Sequence, residues 1–154
     1  YQGASSVAPV SVFQAEYNLF CRNPEQQILP LSEQQNIGFM SWGTLDKGII
    51  TGRVTADRKF DSYDARSRAP WWKSEDRTWK YNAMTELNHK LVELEHTGLE
   101  LALSAVLSNP VVSTALCGPR SISQLDTLIG SLNNMLPLEN LENCREIIEE
   151  HRPS

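Results

Sequence analysis

Two stretches near the start of the chain, "YQGAS" (Tyr1–Ser5) and "VSVFQAEYN" (Val10–Asn18), read as a strand end and a strand, with only Ser6–Pro9 between them. Neighbouring parallel strands need a connection of about a dozen residues, normally a helix. Four residues make only a hairpin or a bend. Either these strands are not parallel neighbours, or chain is missing between Ser6 and Val7.

The remainder alternates. "CRNPEQQILPLSEQQNIG" carries an N-cap candidate at Asn23, Pro24 at the first helical position and Gln26 at the capping-box site. Pro30 predicts a short or bent helix ending near Asn36 and Gly38. "IGFMSW" (Ile37–Trp42) is a buried strand, and "GTLDKGIITG" follows as a loop with helical turns. Residues 53–78 lack sustained periodicity and are dense in charge and aromatics, which predicts a functional loop, mobile without ligand. Met84, Leu87, Leu91 and Leu94 then mark one face of an amphipathic helix. Gly98 interrupts it, and "LELALSAVLSN" is a more buried helix stopped at Asn109-Pro110. "VVSTALCG" is a strand, and Ser121 with Gln124 forms a second capping box. Ile122, Leu125, Leu128, Ile129 and Leu132 stripe the helix it opens, and "PLENLENCREIIEEH" is a surface helix. Four short apolar strands alternating with helices predict an α/β fold with a parallel sheet. Such a sheet standing alone exposes both edges, so part of a barrel is the more natural architecture.

A net charge of −5 without any basic run argues against a nucleic-acid surface. No apolar run approaches the ~20 residues of a membrane span. Three widely spaced cysteines without a CxxC pair predict reduced thiols and a cytoplasmic protein. His89, His96 and His151 lie in polar helical surroundings and read as solvated or capping. No metal-ligand spacing and no glycine-rich phosphate loop is present, so no metal site is expected.

The distinctive residues stand at strand ends, where parallel sheets build ligand sites. Gln14 is polar in an apolar strand, and Trp42 ends the next one just before Gly43. "CGPRS" runs from the last strand into a capped helix. Arg120 beside that helix N-terminus offers a fork-shaped cation and free N–H groups to a phosphate. Taken singly, Trp42 is ordinary core filler, Gln14 a backbone partner and Arg120 a solvated cation. In this order they form a constellation.

These residues carry a resemblance. "VSVFQAEYNLFCR", "IGFMSWGTLDKGIITGR" and "LSNPVVSTALCGPRSISQL" resemble the sixth, seventh and eighth strand regions of aldo-keto reductases in order and spacing, and "YQGASS" looks like the end of the fifth. The resemblance implies an α/β fold, a partial (β/α)8 TIM barrel comprising strands 5–8 with their helices. Residues 1–154 would be the C-terminal half of one such domain, with chain missing between 6 and 7 and before 1. It further implies NADP(H) as cofactor and a small-molecule carbonyl substrate, while the charge and hydropathy above predict no nucleic-acid or membrane partner. Ser5, Ser6 and Gln14 match positions that bind the nicotinamide carboxamide, and Trp42 the aromatic stacked on the ring. Gly43, Thr44, Leu45 and Lys47 match the loop around the pyrophosphate, with Arg53 and Arg68 reaching over it in a loop that closes like a clasp, so the resemblance implies that Trp71 and Trp72 shape the substrate mouth rather than fill the core. Gly118, Arg120 and Gln124 match the pocket for the adenosine 2′-phosphate.

There are departures. Gly43-Thr44 replaces the usual Ser-Pro, and Thr127 and Leu128 replace the acidic residue and Asn that hold adenine. The family's catalytic Asp, Tyr, Lys and His belong to the first half of the barrel and have no matching motif, so no catalytic residue is assigned. The intact form would be an NADP-dependent oxidoreductase acting on a carbonyl/alcohol pair. The alternatives are a non-redox binding or assembly module, or a cyclase or isomerase reusing the pocket. The missing crossover predicts that the native protein's intact mass exceeds the 17.4 kDa of this sequence. A mass of that value with a continuous Ser6–Val7 peptide refutes the expectation.

Overall fold

The structure is a computed structural model that describes residues 2–153. Three parallel strands form one sheet in the order β1 (Val12–Glu16), β2 (Gly38–Trp42), β3 (Val112–Ala115). Gln14 lies opposite Met40 and Glu16 opposite Trp42, and Met40 lies opposite Thr114 after a register shift.

The fourth expected strand is not formed. Gln2–Ser5 is instead a short exposed helix, α1, extended by bonds from Ser6 N–H to Gln2 O (3.2 Å) and from Ala8 N–H to Ala4 O (3.1 Å). The short link cannot carry this segment round to lie parallel to β1, and its small residues close local bonds instead. Tyr1, where that strand reading began, lies outside the described residues.

The crossover from β1 to β2 contains a 3₁₀ turn, Asn23–Gln26, and α2 (Ile28–Gln35). The capping box expected at Asn23 is absent, because the cap position falls on Arg22 and makes no side-chain bond. Pro30 lies in the first turn of α2, where its missing N–H has no intrahelical acceptor to lose. The chain leaves α2 through Asn36 in the left-handed region (φ 52°), which aims it directly into β2.

The long crossover from β2 to β3 runs through α3 (Ala65–Arg68), α4 (Pro70–Ser74), α5 (Thr78–Glu93) and α6 (Gly98–Leu107). The expected apolar face of α5 is buried at Met84, Leu87 and Leu91. α6 is buried for most of its length and starts in a capping box, with Thr97 and Glu100 each bonding the other's backbone. α7 (Ile122–Ser131) and α8 (Leu138–His151) complete the chain, and α8 packs along α5. The larger core joins α5, α6 and α8 to Ile49, Ile50, Leu19 and Phe20, while Tyr17, Leu29, Phe39 and Val106 fill the space beneath the sheet.

Only one face of the sheet is covered. Phe39 and Ser41 are buried on the helix side, whereas Val12 and Trp42 on the other side are 50% and 42% exposed. Parallel sheets are normally covered on both faces, so one face of this sheet stands open where a complete fold of its class would pack it. The apolar stripe of α7 is also uncovered, with Ile122 78% and Ile129 54% exposed.

Gly98 carries the tightest backbone approach among the glycines. A Cβ there would lie 2.2 Å from the Ile50 carbonyl oxygen and 3.1 Å from Thr51 Cα. Gly98→Ala should therefore destabilise the fold by about 1–3 kcal/mol despite alanine's better helix propensity. In a chain of this size that lowers Tm by about 2–4 °C per kcal/mol, readable by calorimetry.

Candidate functional site

The residues expected to bind a ligand gather at the C-terminal ends of β1 and β2. Gln14 and Trp42 share the uncovered face on adjacent strands, with Met40 beside both. The Gln14 amide is exposed and lies 3.8 Å from the Met40 sulfur.

The turn after β2 is held from three sides. Gly43 has φ +69°, and its carbonyl accepts bonds from Asn18 Nδ2 (2.9 Å) and Asp46 N–H (2.8 Å). Thr44 is buried, and its hydroxyl donates to Leu116 O (3.0 Å) while accepting from Ser41 Oγ (3.0 Å). Leu45 packs against the larger core. Asp46 and Lys47 both have positive φ, 39° and 57°, a conformation uncommon outside glycine. Lys47 Nζ lies 2.5 Å from Glu16 Oε1 and 3.1 Å from Asp46 Oδ1, and Lys80 Nζ reaches Asp46 Oδ2 at 2.9 Å. Burial alone would lower the Lys47 pKa, but the bond to Glu16 and the Asp46 charge raise it, so the ammonium stays charged.

Arg66 fastens the long loop onto this turn. It donates to the Lys47 carbonyl, forks onto Asp64 (2.9 and 2.6 Å) and lies 4.2 Å over the Phe60 ring. The Arg66 bonds hold the Asp64 carboxyl well below the usual carboxylate range. Arg120 approaches the same carboxylate at 3.7 Å, so contacts run from the β2 turn through Arg66 and Asp64 to the loop before α7. There Ser121 Oγ accepts from Gln124 N–H (3.2 Å), and Gln124 Oε1 accepts from Arg120 N–H (2.8 Å). The reciprocal cap forms, shifted by one residue on its return bond. Gly118 has open space around it.

Several sequence expectations change. Ser5 and Ser6 do not join Gln14, since their hydroxyls bond back to Gln2 O and Gly3 O. Arg53 and Arg68 are exposed, and it is Arg66 that reaches the turn. The loop is packed: Phe60 and Trp72 meet edge to face at 5.6 Å, and Arg77 lies 3.7 Å over the Trp72 ring. Trp72 is buried in the core, leaving Trp71 as the exposed member of the pair. Thr127 bonds within its own helix, to Ser123 O. Glu16, Asp46, Asp64, Arg66 and Lys80 were not singled out from the sequence. Asp46-Lys47 between apolar residues and glycines was the available signal. Among the described residues no His/Cys/Asp/Glu group suits a metal, and no helix is long and apolar enough to cross a membrane.

A small parallel sheet with helices on one side, one face open and polar groups at its strand ends matches part of an α/β barrel. The chain belongs to the aldo/keto reductase family, whose model matches residues 1–149. It is 29% identical to aldo-keto reductase YhdN of Bacillus subtilis over 94% of this chain and 44% of that protein. It is 30% identical to a "Probable voltage-gated potassium channel subunit beta" of Oryza sativa subsp. japonica, over 77% of this chain and 37% of that one. The structure of the glycerol dehydrogenase AKR11B4 from Gluconobacter oxydans superposes with a TM-score of 0.79 at 28% identity, covering 97% of this chain and 46% of that one. Two relatives at 24% identity differ in their named cofactor: yakc of Schizosaccharomyces pombe carries NADP(+) in its name, and an Escherichia coli methylglyoxal reductase is NADH-specific. The chain thus spans less than half the length of these relatives.

Arg66→Ala should remove the clamp, the Phe60 stack and the main partner of Asp64 together. The expected result is faster proteolysis and amide exchange across residues 53–68, with helices α5 and α8 unaffected.

Proposed function

We propose that this chain is the cofactor-binding half of an aldo-keto reductase barrel and holds NADP(H) for the interconversion of a small carbonyl compound and its alcohol. The contact path from the turn after β2 through Arg66 and Asp64 to Arg120 carries this reading. It couples a glycine-containing, cation-bearing turn to an exposed arginine at a helix start, which are the two ends a phosphorylated dinucleotide needs.

The residues suit such a ligand. Trp42 offers an exposed flat face, with Gln14 on the neighbouring strand as an amide partner. Gly118 leaves room for close backbone approach, and Arg120 is 74% exposed with capacity for further bonds. The cofactor supplies the hydride. The chain's own work would be to orient the nicotinamide against Trp42, to anchor the pyrophosphate at Gly43–Lys47, and to select the 2′-phosphate through Arg120. Thr44 enters this scheme as a structural tie, since its hydroxyl is spent on Leu116 and Ser41. Proton transfer to a carbonyl oxygen needs a donor from elsewhere in a complete barrel. A non-redox binding module is the second reading, favoured by the apolar Leu128 and the internally bonded Thr127 at the adenine end.

Calorimetric titration of both cofactors separates the readings. NADPH should bind more tightly than NADH, by about two- to fivefold for one ion pair at an exposed arginine. Arg120→Ala should remove the preference while leaving NADH affinity nearly unchanged. Equal affinities in the wild type overturn the 2′-phosphate assignment, and binding of neither cofactor favours the module.

A further inference from the structure

We propose that Glu16 is an affinity-setting latch that occupies the Lys47 ammonium and must release it when a pyrophosphate-bearing ligand enters the turn after β2. This rests on the reading of Gly43–Lys47 as the pyrophosphate turn.

The geometry is asymmetric. Asp46 is nearly fully buried, with its side chain 2% exposed, and it has two cationic partners, Lys47 and Lys80. Lys80 is itself held, at 2.9 Å from both Asp46 and Glu75, and lies 5.5 Å from the Phe20 ring centroid. Lys80 alone therefore keeps the Asp46 charge compensated. Lys47 is held twice, by Asp46 and more closely by Glu16, and retains 24% side-chain exposure. It is the member of the ladder with a cation to offer outward.

Glu16 is placed to control that offer. It ends β1 on the uncovered face directly opposite Trp42, beside the proposed ring platform. Its carboxylate also stands over the turn backbone, because a Cβ on Gly43 would lie 3.1 Å from Glu16 Oε1. An anionic ligand seated on the turn thus meets a carboxylate already bonded to the cation it needs. The positive φ values at Asp46 and Lys47 hold the lysine within reach of Glu16, and backbone held in a sparsely populated region is characteristic of switching segments. The exchange is one of ion pairs: Glu16 gives up Lys47 to a phosphate oxygen, and Asp46 stays paired to Lys80.

The test titrates inorganic pyrophosphate, and separately ADP, into the full chain by calorimetry. Glu16→Gln, which keeps the side chain's shape, should tighten pyrophosphate by about three- to fivefold, the scale of a partly exposed ion pair. Lys47→Met should weaken it by at least tenfold. In the double variant the gain from Glu16→Gln should vanish, because a latch acts only through the group it holds. A gain that persists in the Lys47→Met background means that Glu16 acts as a repulsive charge and overturns the latch. Unchanged affinity in Glu16→Gln, with the Lys47→Met loss still seen, also overturns the latch but leaves the pyrophosphate turn standing. No binding in the wild type or in Glu16→Gln removes both. Glu16→Ala repeats the measurement should the amide variant fail to fold.

Discussion

The buried carboxylate of Asp46 is the joint on which the strand ends depend. An isolated charge so buried would be prohibitively costly, so its partners are obligatory. They come from different places: Lys47 from the turn itself and Lys80 from α5. Lys47 carries the connection on to Glu16 at the end of β1, and Lys80 carries it to Glu75 before α5. The sheet, the turn after β2 and the helical layer are thereby fixed to one another by a ladder of alternating charge. The inner groups are doubly held, Asp46 by Lys47 and Lys80 and Lys47 by Asp46 and Glu16, so the outer carboxylates can be lost without exposing the buried charge. The apolar core beneath, with the Ile50 backbone close against Gly98, supplies the bulk of the stability, while the ladder supplies the geometry.

This division explains how a sheet with one bare face keeps an ordered rim. Burial on the helix side orients β1 and β2 through Tyr17, Leu29 and Phe39. Nothing comparable presses on the other face, so Gln14, Met40 and Trp42 stand together on an open side of the sheet. Directional bonds therefore do at the rim what packing does below: Asn18 to the Gly43 carbonyl, Thr44 to the Leu116 carbonyl, Arg66 to the Lys47 carbonyl. Each of these ends on a main-chain carbonyl, so the loop backbones are set without using the groups that face the opening.

Much of this was legible in the sequence, for a physical reason. The apolar runs at Phe39 and Val112 and the period of Met84, Leu87 and Leu91 follow from burial, which leaves a pattern in the chain. The motif around Trp42, Gly43 and "CGPRS" marked the strand ends because those residue types suit planar rings and phosphates. Three features were not legible. The helical turn at Gln2–Ser5 depends on a link too short to carry a parallel strand. The packing of the 53–78 segment depends on aromatic and guanidinium stacking between Phe60, Arg66, Trp72 and Arg77, which has no period. The capping box at Asn23 competes with the turn made by Arg22 and Glu25, whose side chains pair at 2.9 and 2.8 Å. Here a local motif lost to a stronger local interaction.

The charge ladder also bears on how far family membership carries. A fold of this kind hosts many chemistries, and the site decides among them. In this chain the turn after β2 is built from Asp46 and Lys47 in a conformation that glycine would adopt with less strain. Glycines there would leave the strand ends without the Asp46 charge and its two lysine partners. The strained pair is therefore tied to electrostatics: it brings one cation to the mouth of the barrel and keeps its counter-charge buried below. Glu16, facing Trp42 across the register, then sets how available that cation is. Under the proposed latch, an anionic ligand reaching this turn competes with two carboxylates, Glu16 and Asp46, for one lysine.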